Sequence, residues 1–351
     1  MDEPITMSNH GMNPDDIELS RMIERFLNER EDEKSEATIY NNRSHLADFN
    51  DWCAENEYTV VGDLDPFVVL DYKNHVKARV QKTTLRGYVS TMREFLRFCN
   101  RMDVLGENIV EALEFPQLGP DEGARDTMLD FEAIKEIEAF LDRFEYGQFR
   151  HVVFGLLWHT GCRMGALRAL DLDDYVPASE TKKGVARLKF HHRPEEGTPL
   201  KNQGGSERTV NLKPKFATLI EGYIDYHRND VRDDYGRFPL VTTTHGRPAL
   251  STIQGQVYSL TRPCVYTGSC PHGREEAECE ATEYDKAPKC PSSVSPHPLR
   301  RGSITYHLKN EGWTYEECSL RFNVSVETLK QHYDQTTQGD IADVLADRHF
   351  S

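Results

Sequence analysis

The run HVVFGLLWHT, residues 151–160, is apolar on almost every side, and that property constrains this chain more than any other. A surface helix or a half-buried strand would show a polar face, so this segment is expected to be a helix enclosed by other elements. Gly161 follows and permits a sharp turn. Arg163 then opens a second helix, with Ala166, Leu167 and Leu170 on its inner face. An arginine at the edge of such a core needs an anion, because a guanidinium taken out of water without a partner is costly.

A second segment supplies a matching arginine. In SPHPLRRGSITYHLKNEGW, His297 and Arg300 stand three residues apart on a predicted helix, with Pro298 in its first turn and Ile304 and Leu308 on an apolar stripe. That spacing points both side chains the same way. Two guanidiniums converging on one phosphate would neutralise its charge and give its oxygens bidentate donors, which a lysine ammonium does not copy. Tyr333 follows as a candidate nucleophile. Between the two segments, VARLKF and RTVNL read as strands of a hairpin turning at Gly204 and Gly205, with Lys201 just before the turn.

These residues resemble the catalytic set of the tyrosine recombinases, the phage-integrase family: Arg163 in a TGxR box, Lys201 in a β-hairpin, His297 and Arg300 as HxxR, then Tyr333. The resemblance implies a mainly α fold with a small β-sheet, a helical SAM-like core-binding domain preceding an α/β tyrosine-recombinase catalytic domain. It implies attack of the tyrosine oxygen on the scissile phosphate, giving a 3′-phosphotyrosyl link and a free 5′-hydroxyl. No cofactor is needed for catalysis, because the covalent link conserves the phosphodiester energy. Arg163 and Arg300 would clamp the phosphate, Lys201 would protonate the leaving hydroxyl, and His297 would be the base or proton shuttle. The implied partners are double-stranded DNA attachment sites, with a homotetramer assembled on them.

Two positions depart from the family pattern. Its acidic residue three places after the first Arg is Ala166 here, so support for Arg163 must come from elsewhere. Its His or Trp, about nine places before the tyrosine, is nearest to Asn323, which can donate to a phosphate oxygen but carries no positive charge. The RxNVS…HYD ending resembles those of archaeal integrases of halophiles.

The 351 residues suffice for two domains and carry a formal charge of −16 at pH 7, with a pI near 5.4. A phosphate-binding protein is expected to be basic somewhere. Lys201, Arg208, Arg300 and Arg301 are therefore expected on the DNA face, with the acids of residues 29–36 and Asp171, Asp173 and Asp174 on a solvated back. An acidic exterior suits a salty cytoplasm, and ordinary surface acid content is the plainer reading. Residues 1–16 are polar, with no apolar leader core, and no later stretch approaches a membrane span, so a cytoplasmic location is expected.

Residues 17–116 read as a helical DNA-binding domain. Ile39, Leu46, Phe49 and Cys53 recur at helical spacing, and DPFVVLDYKNHVKARV and TTLRGYVSTMREFLRFC behave alike, which gives four or so short helices. By the resemblance, helix starts there face the major groove. Thr38, Tyr40, Arg43, Lys82, Thr83, Thr84 and Arg86 are the candidate DNA contacts, against the alternative of plain solvated faces. Residues 117–126, rich in Gly, Pro and acids, are the expected linker, and residues 127–351 the catalytic domain.

Cys53, Cys99, Cys162 and Cys318 fall among apolar helical residues and are expected to be buried thiols. Cys264, Cys270, Cys279 and Cys290 instead crowd a polar stretch with His272. In a reducing cytoplasm this points to structural zinc, a thiolate cage ordering a segment with too little apolar content to fold alone, with His272 able to replace one thiolate. Free thiols and disulfides are the alternatives. Beyond Tyr333, an amphipathic tail with Ile341, Leu345 and Phe350 must pack on its own domain or a neighbouring protomer.

The reading that follows is a site-specific recombinase, the integrase of a virus or other mobile element. Its rivals are a chromosome-dimer resolvase, a topoisomerase of the same chemistry, and a non-catalytic zinc-containing DNA-binding regulator on a recombinase scaffold. WTYEECSLRFNVSVETLKQHYD has a helix-turn-helix look with Ser325 as a cap, which suits the regulator. Against it, a regulator has no physical need for Arg163, Lys201, His297, Arg300 and Tyr333 together.

Overall fold

The computed structural model describes residues 13–31, 33–119, 129–283 and 285–333, with His332 and Tyr333 described by backbone alone. The chain divides into two compact units, Met1–Arg125 and Asp126–Ser351. Most of the expected linker and the tail residues Ile341, Leu345 and Phe350 lie outside the described residues. No described helix is long and apolar enough to cross a membrane.

The first unit is built from α1 (Leu19–Glu31), α2 (Glu36–Glu55), α3 (Pro66–Lys77), α4 (Lys82–Arg101) and α5 (Asn108–Ala112). Helix starts follow local chemistry. The Ser35 hydroxyl accepts from the Thr38 N–H at 3.3 Å, and the Asp65 carboxylate accepts from the N–H groups of Phe67 and Val68 at 2.8 and 2.9 Å, with Pro66 in the first turn. The apolar stripes meet in one core that includes Phe26, Leu46, Phe49, Cys53, Tyr72, Phe95 and Cys99. Tyr72 satisfies its buried hydroxyl by donating to the Asp48 carboxylate at 2.7 Å. With no proline to interrupt them, α2 and α4 run 20 residues each, longer than the short helices expected.

The second unit contains α6 (Phe131–Phe144), α7 (Phe149–Thr160), α8 (Met164–Ala169), the strands β1 (Tyr175–Val176), β2 (Arg187–Phe190) and β3 (Arg208–Asn211), then α9 (Pro214–Tyr226), α10 (Leu250–Leu260), α11 (Pro263–Thr267), α12 (Pro296–Lys309), α13 (Tyr315–Phe322) and α14 (Val326–Tyr333). The all-round apolar run is α7, which packs against α9, α10 and α12. Its Val152, Val153, Phe154, Leu156 and Leu157 are closed off from solvent. The sheet is antiparallel in the order β1-β2-β3, with Lys189 opposite Thr209.

Two expectations need correction. Strands β2 and β3 pair, but not through a tight turn at Gly204 and Gly205. Residues 191–207 lie between them, with a bridge between Arg193 and Thr198 and a 3₁₀ turn at Gln203–Ser206. Past Phe190 side chains take over from the ladder: the Glu207 carboxylate accepts from the His192 N–H at 2.8 Å, and the His192 ring accepts from the Leu200 N–H at 2.9 Å. Asp171 and Asp174, expected on a solvated back, are only 6% and 2% exposed. Arg193 donates to Asp174 at 2.7 and 3.0 Å, Arg237 donates to Asp171 at 3.0 Å, and Arg247 donates to Asp171 and, at 2.9 Å, to Asp233. Asp173, between them, is exposed as expected.

Candidate active site

Helix α7 ends at Gly161, whose φ of +56° is left-handed and whose missing Cβ leaves room for the Phe322 ring. The turn brings Arg163 to the N-cap of α8, and its guanidinium donates to the Asn323 carbonyl at 3.4 Å. Arg300 approaches from α12, a helix whose start is set by Pro296. It is 4% exposed and donates to the carbonyls of Gly161 and, at 2.7 Å, Phe322. From β3, Arg208 donates through Nε to the Arg321 carbonyl at 2.9 Å and lies 4.3 Å over the Phe190 ring. Consecutive carbonyls at the end of α13 thus each receive an arginine from a different element.

The physical cause is the helix end itself. The last carbonyls of a helix lack intrahelical donors and carry the negative end of its dipole, so guanidiniums gather there. Helix α13 is fixed at its start by a capping box, in which Thr314 Oγ1 accepts from the Glu317 N–H at 3.1 Å and the Glu317 carboxylate accepts from the Thr314 N–H at 2.8 Å. It stops at Asn323, whose φ is +49°. Arg300 and Arg208, expected on a DNA-facing surface, are therefore largely taken up by backbone carbonyls. Arg321, which the sequence reading passed over, joins them: it donates to the carbonyls of His159 at 2.7 Å and Asn211 at 3.1 Å, and burial pushes its pKa down to about 10. Backbone acceptors leave no mark in a sequence, so nothing there pointed to it.

His297 lies one turn before Arg300 and reaches the surface. Its pKa is lowered first by partial burial and then by the charges of Arg300, Arg301, Arg163 and Lys201. Those four cations share one neighbourhood with the imidazole, which is consequently biased towards its neutral form. Lys201 itself is exposed in the connection before β3, where its carbonyl accepts from the Ser206 hydroxyl. The arrangement is a positive cluster with directional donors and one imidazole able to take a proton, chemistry suited to a phosphodiester.

The other candidates are placed as follows. The Asn323 amide donates to the Gly205 carbonyl at 3.4 Å, towards the segment carrying Lys201. Ala166 is buried and brings no carboxylate to Arg163. Ser325 caps α14, accepting from the Thr328 N–H at 3.2 Å, and that helix ends at Tyr333, whose side chain lies outside the described residues. In the first unit, Tyr40 is 73% exposed, and Lys82, Thr83 and Thr84 are exposed in the first turn of α4. Arg43 pairs with Glu31 at 3.1 Å, Arg86 lies 5.2 Å over the Phe115 ring, and the Thr38 hydroxyl bonds that of Ser35 at 2.9 Å.

Cys53, Cys99, Cys162 and Cys318 are buried, as expected. Burial raises the pKa of the Cys264 thiol, with Glu276 adding, Arg262 opposing, and Cys290 and Cys270 adding less. Among the described residues, however, no group of three or more His, Cys, Asp or Glu is placed to hold a metal ion. His272 Nε2 instead bonds the Ser292 hydroxyl at 3.0 Å. A zinc cage there would require these thiols to rearrange. The segment is anchored otherwise, by buried Ala281, Ala287 and Cys290 and by buried Arg262, which donates to the Ala281 carbonyl at 2.7 Å.

No sequence-family model matches the chain, and no curated protein matches it by sequence. Solved structures do match its fold. The Tn1549 transposon integrase in complex with a circular intermediate DNA aligns over 95% of this chain and 99% of its own, at 10% identity and a TM-score of 0.69. The XerH site-specific recombinase, bound to a palindromic difH substrate in a post-cleavage complex, aligns over 99% of each chain, at 12% identity and a TM-score of 0.61. A lambda integrase dimer bound to a COC′ core site aligns over 92% of this chain and 79% of its own, at 11% identity and a TM-score of 0.59. The chain therefore has the two-domain tyrosine-recombinase fold, mainly helical with a small three-stranded antiparallel sheet.

Proposed function

We propose that this protein is a site-specific DNA recombinase, an integrase of a virus or other mobile element, that cuts and rejoins DNA through Tyr333. The observation that carries the proposal is the convergence of Arg163 and Arg300 on the end of α13, with His297 one turn before Arg300, on a recombinase fold and beside the helix that leads to Tyr333; the charge of Lys201 also bears on His297. In this reading the tyrosine oxygen attacks the scissile phosphorus. The O–P bond to tyrosine forms as the P–O5′ bond breaks, His297 takes the phenolic proton, and Lys201 supplies a proton to the departing 5′ oxygen. Arg163 and Arg300 hold the non-bridging oxygens as charge builds on them. Rejoining is the reverse sequence with a new 5′-hydroxyl, so no external energy source enters. DNA attachment sites are the partner, on which a homotetramer assembles. Support for DNA comes from the integrase and recombinase structures of like fold that were solved on it.

The test is incubation with nicked suicide duplexes drawn from DNA flanking the gene. A covalent adduct mapping to Tyr333 and absent from Tyr333→Phe is expected, with Arg163→Ala and Arg300→Ala lowering cleavage about 10²–10³-fold while duplex binding persists. A full-level adduct with Tyr333→Phe sinks the assignment, and tight binding without any adduct in the wild type returns the regulator. Structural zinc in the cysteine segment is a separate proposal that rests on its cysteine content, and no step of the reaction runs through it.

A further inference from the structure

We infer that Asn323 is a positioning residue whose left-handed backbone makes the end of α13 the seat of the arginine cluster, and that the position acts through this backbone rather than through an amide offered to phosphate. The inference deepens the recombinase reading and rests on it for its activity readout.

The argument begins with where carbonyls go. In an unbroken helix, the carbonyls of Arg321, Phe322 and Asn323 would accept from N–H groups four residues further on. Asn323 prevents this. With φ at +49° it turns the chain out of the helix, its own N–H closing back on the Ser319 carbonyl, and α14 starts afresh after the cap at Ser325. The released carbonyls are met by Arg208 at 2.9 Å, Arg300 at 2.7 Å and Arg163 at 3.4 Å. These arginines come from β3, α12 and the N-cap of α8, so a single backbone conformation gathers side chains from three places in the chain. Asparagine is among the few residues other than glycine that adopt this conformation readily. The Asn323 side chain makes one contact, 3.4 Å to the Gly205 carbonyl, as long as that of Arg163 to the Asn323 carbonyl, so the backbone's hold rests chiefly on Arg208 and Arg300.

The two possibilities separate cleanly by substitution. If the backbone matters, Asn323→Gly, which removes the amide and keeps the conformation, should cleave at saturating DNA within about threefold of wild type. Asn323→Ala should fall about fivefold to thirtyfold, following the cost of a left-handed L residue, and Asn323→Val further still. DNA affinity should change little in all three. If Asn323→Gly is as impaired as Asn323→Ala, or Asn323→Val cleaves like wild type, the inference is overturned. The seat can also be read without DNA or catalysis, by ¹⁵N NMR of the Arg208 Nε–H. Its exchange should stay slow in Asn323→Gly and quicken in Asn323→Val. Unchanged exchange in Asn323→Val overturns the inference even if that variant is inactive, whereas a wild type that forms no adduct counts against the recombinase reading alone.

Discussion

Replacing Gly161 by alanine is the sharpest test of how this site is built, because the cost can be worked from two separate causes. The left-handed backbone at φ +56° disfavours an L side chain by about 1–2 kcal/mol. The new Cβ would also lie 2.4 and 2.5 Å from two carbons of the Phe322 ring and 3.2 Å from Ser303 Oγ, overpacking that costs about 1–3 kcal/mol. The ring has little room to retreat, since Phe322 is enclosed with Ile304, Cys318 and Leu329. Gly161→Ala should thus destabilise the second unit by about 2–5 kcal/mol, lowering its melting temperature by about 4–20 °C, readable by calorimetry of the whole chain. The steric part can be isolated in a Phe322→Leu background, where the same substitution should cost only the backbone share of about 1–2 kcal/mol. A loss below about 0.5 kcal/mol, or strict additivity with Phe322→Leu, would refute the reasoning.

Four further outcomes are expected. Asp171→Ala leaves the cluster of Arg237 and Arg247 without its central carboxylate and should cost about 3–5 kcal/mol in urea unfolding, whereas Asp173→Ala should change stability by less than about 0.5 kcal/mol; equal effects would return Asp171 to the surface. His297 must be neutral to accept a proton and its pKa is lowered, so cleavage should hold as pH falls to about 6.5 and drop only below it, and His297→Gln should remove that acid limb. The lowered pKa values of His151 and His307, chiefly from burial, act on stability with the same sign: above about 6.5 both states are neutral, and below it the unfolded chain takes protons first, so the melting temperature should fall with pH. A melting temperature that rose on acidification would contradict this. If the proposed zinc is held, chelators should release about one metal ion per chain and speed proteolysis of the cysteine segment; unchanged cutting and no metal would leave Arg262, Ala281, Ala287 and Cys290 as its anchors and its thiols free.

What could be read from the sequence divides along a physical line. Features whose cause is local were legible: the enclosed helix from its all-round apolar run, the turn from Gly161, the first turn of α12 from Pro298, and the cap of α14 from Ser325. Features whose cause is a distant partner were not. Asp171 and Asp174 look like surface acids in LDLDDY, and only the approach of Arg193, Arg237 and Arg247 makes their burial affordable. The paired glycines suggested a tight turn, but a turn also needs strands running up to it, and the ladder ends at Phe190, where Glu207 and His192 side chains take up the next N–H groups.

The same division bears on Arg163, which has no carboxylate at position 166 and takes part of its support from the Asn323 carbonyl. A buried acid beside it would have been visible in the sequence as an acid; a carbonyl is present in every residue and is therefore invisible as a signal. At the end of α13 the carbonyls are oriented together and unpaired within the helix, so they act on Arg163 and Arg300 as a fixed partial negative charge of roughly half an electron. A partial charge contributes to holding a guanidinium without the full neutralisation that an aspartate or glutamate would bring, which suits the proposed reading in which the cluster attracts phosphate. If this is how the site works, Ala166→Glu should compete with DNA for Arg163 and reduce cleavage more than binding. A gain in cleavage would show that the helix end is an inferior substitute for the missing acid.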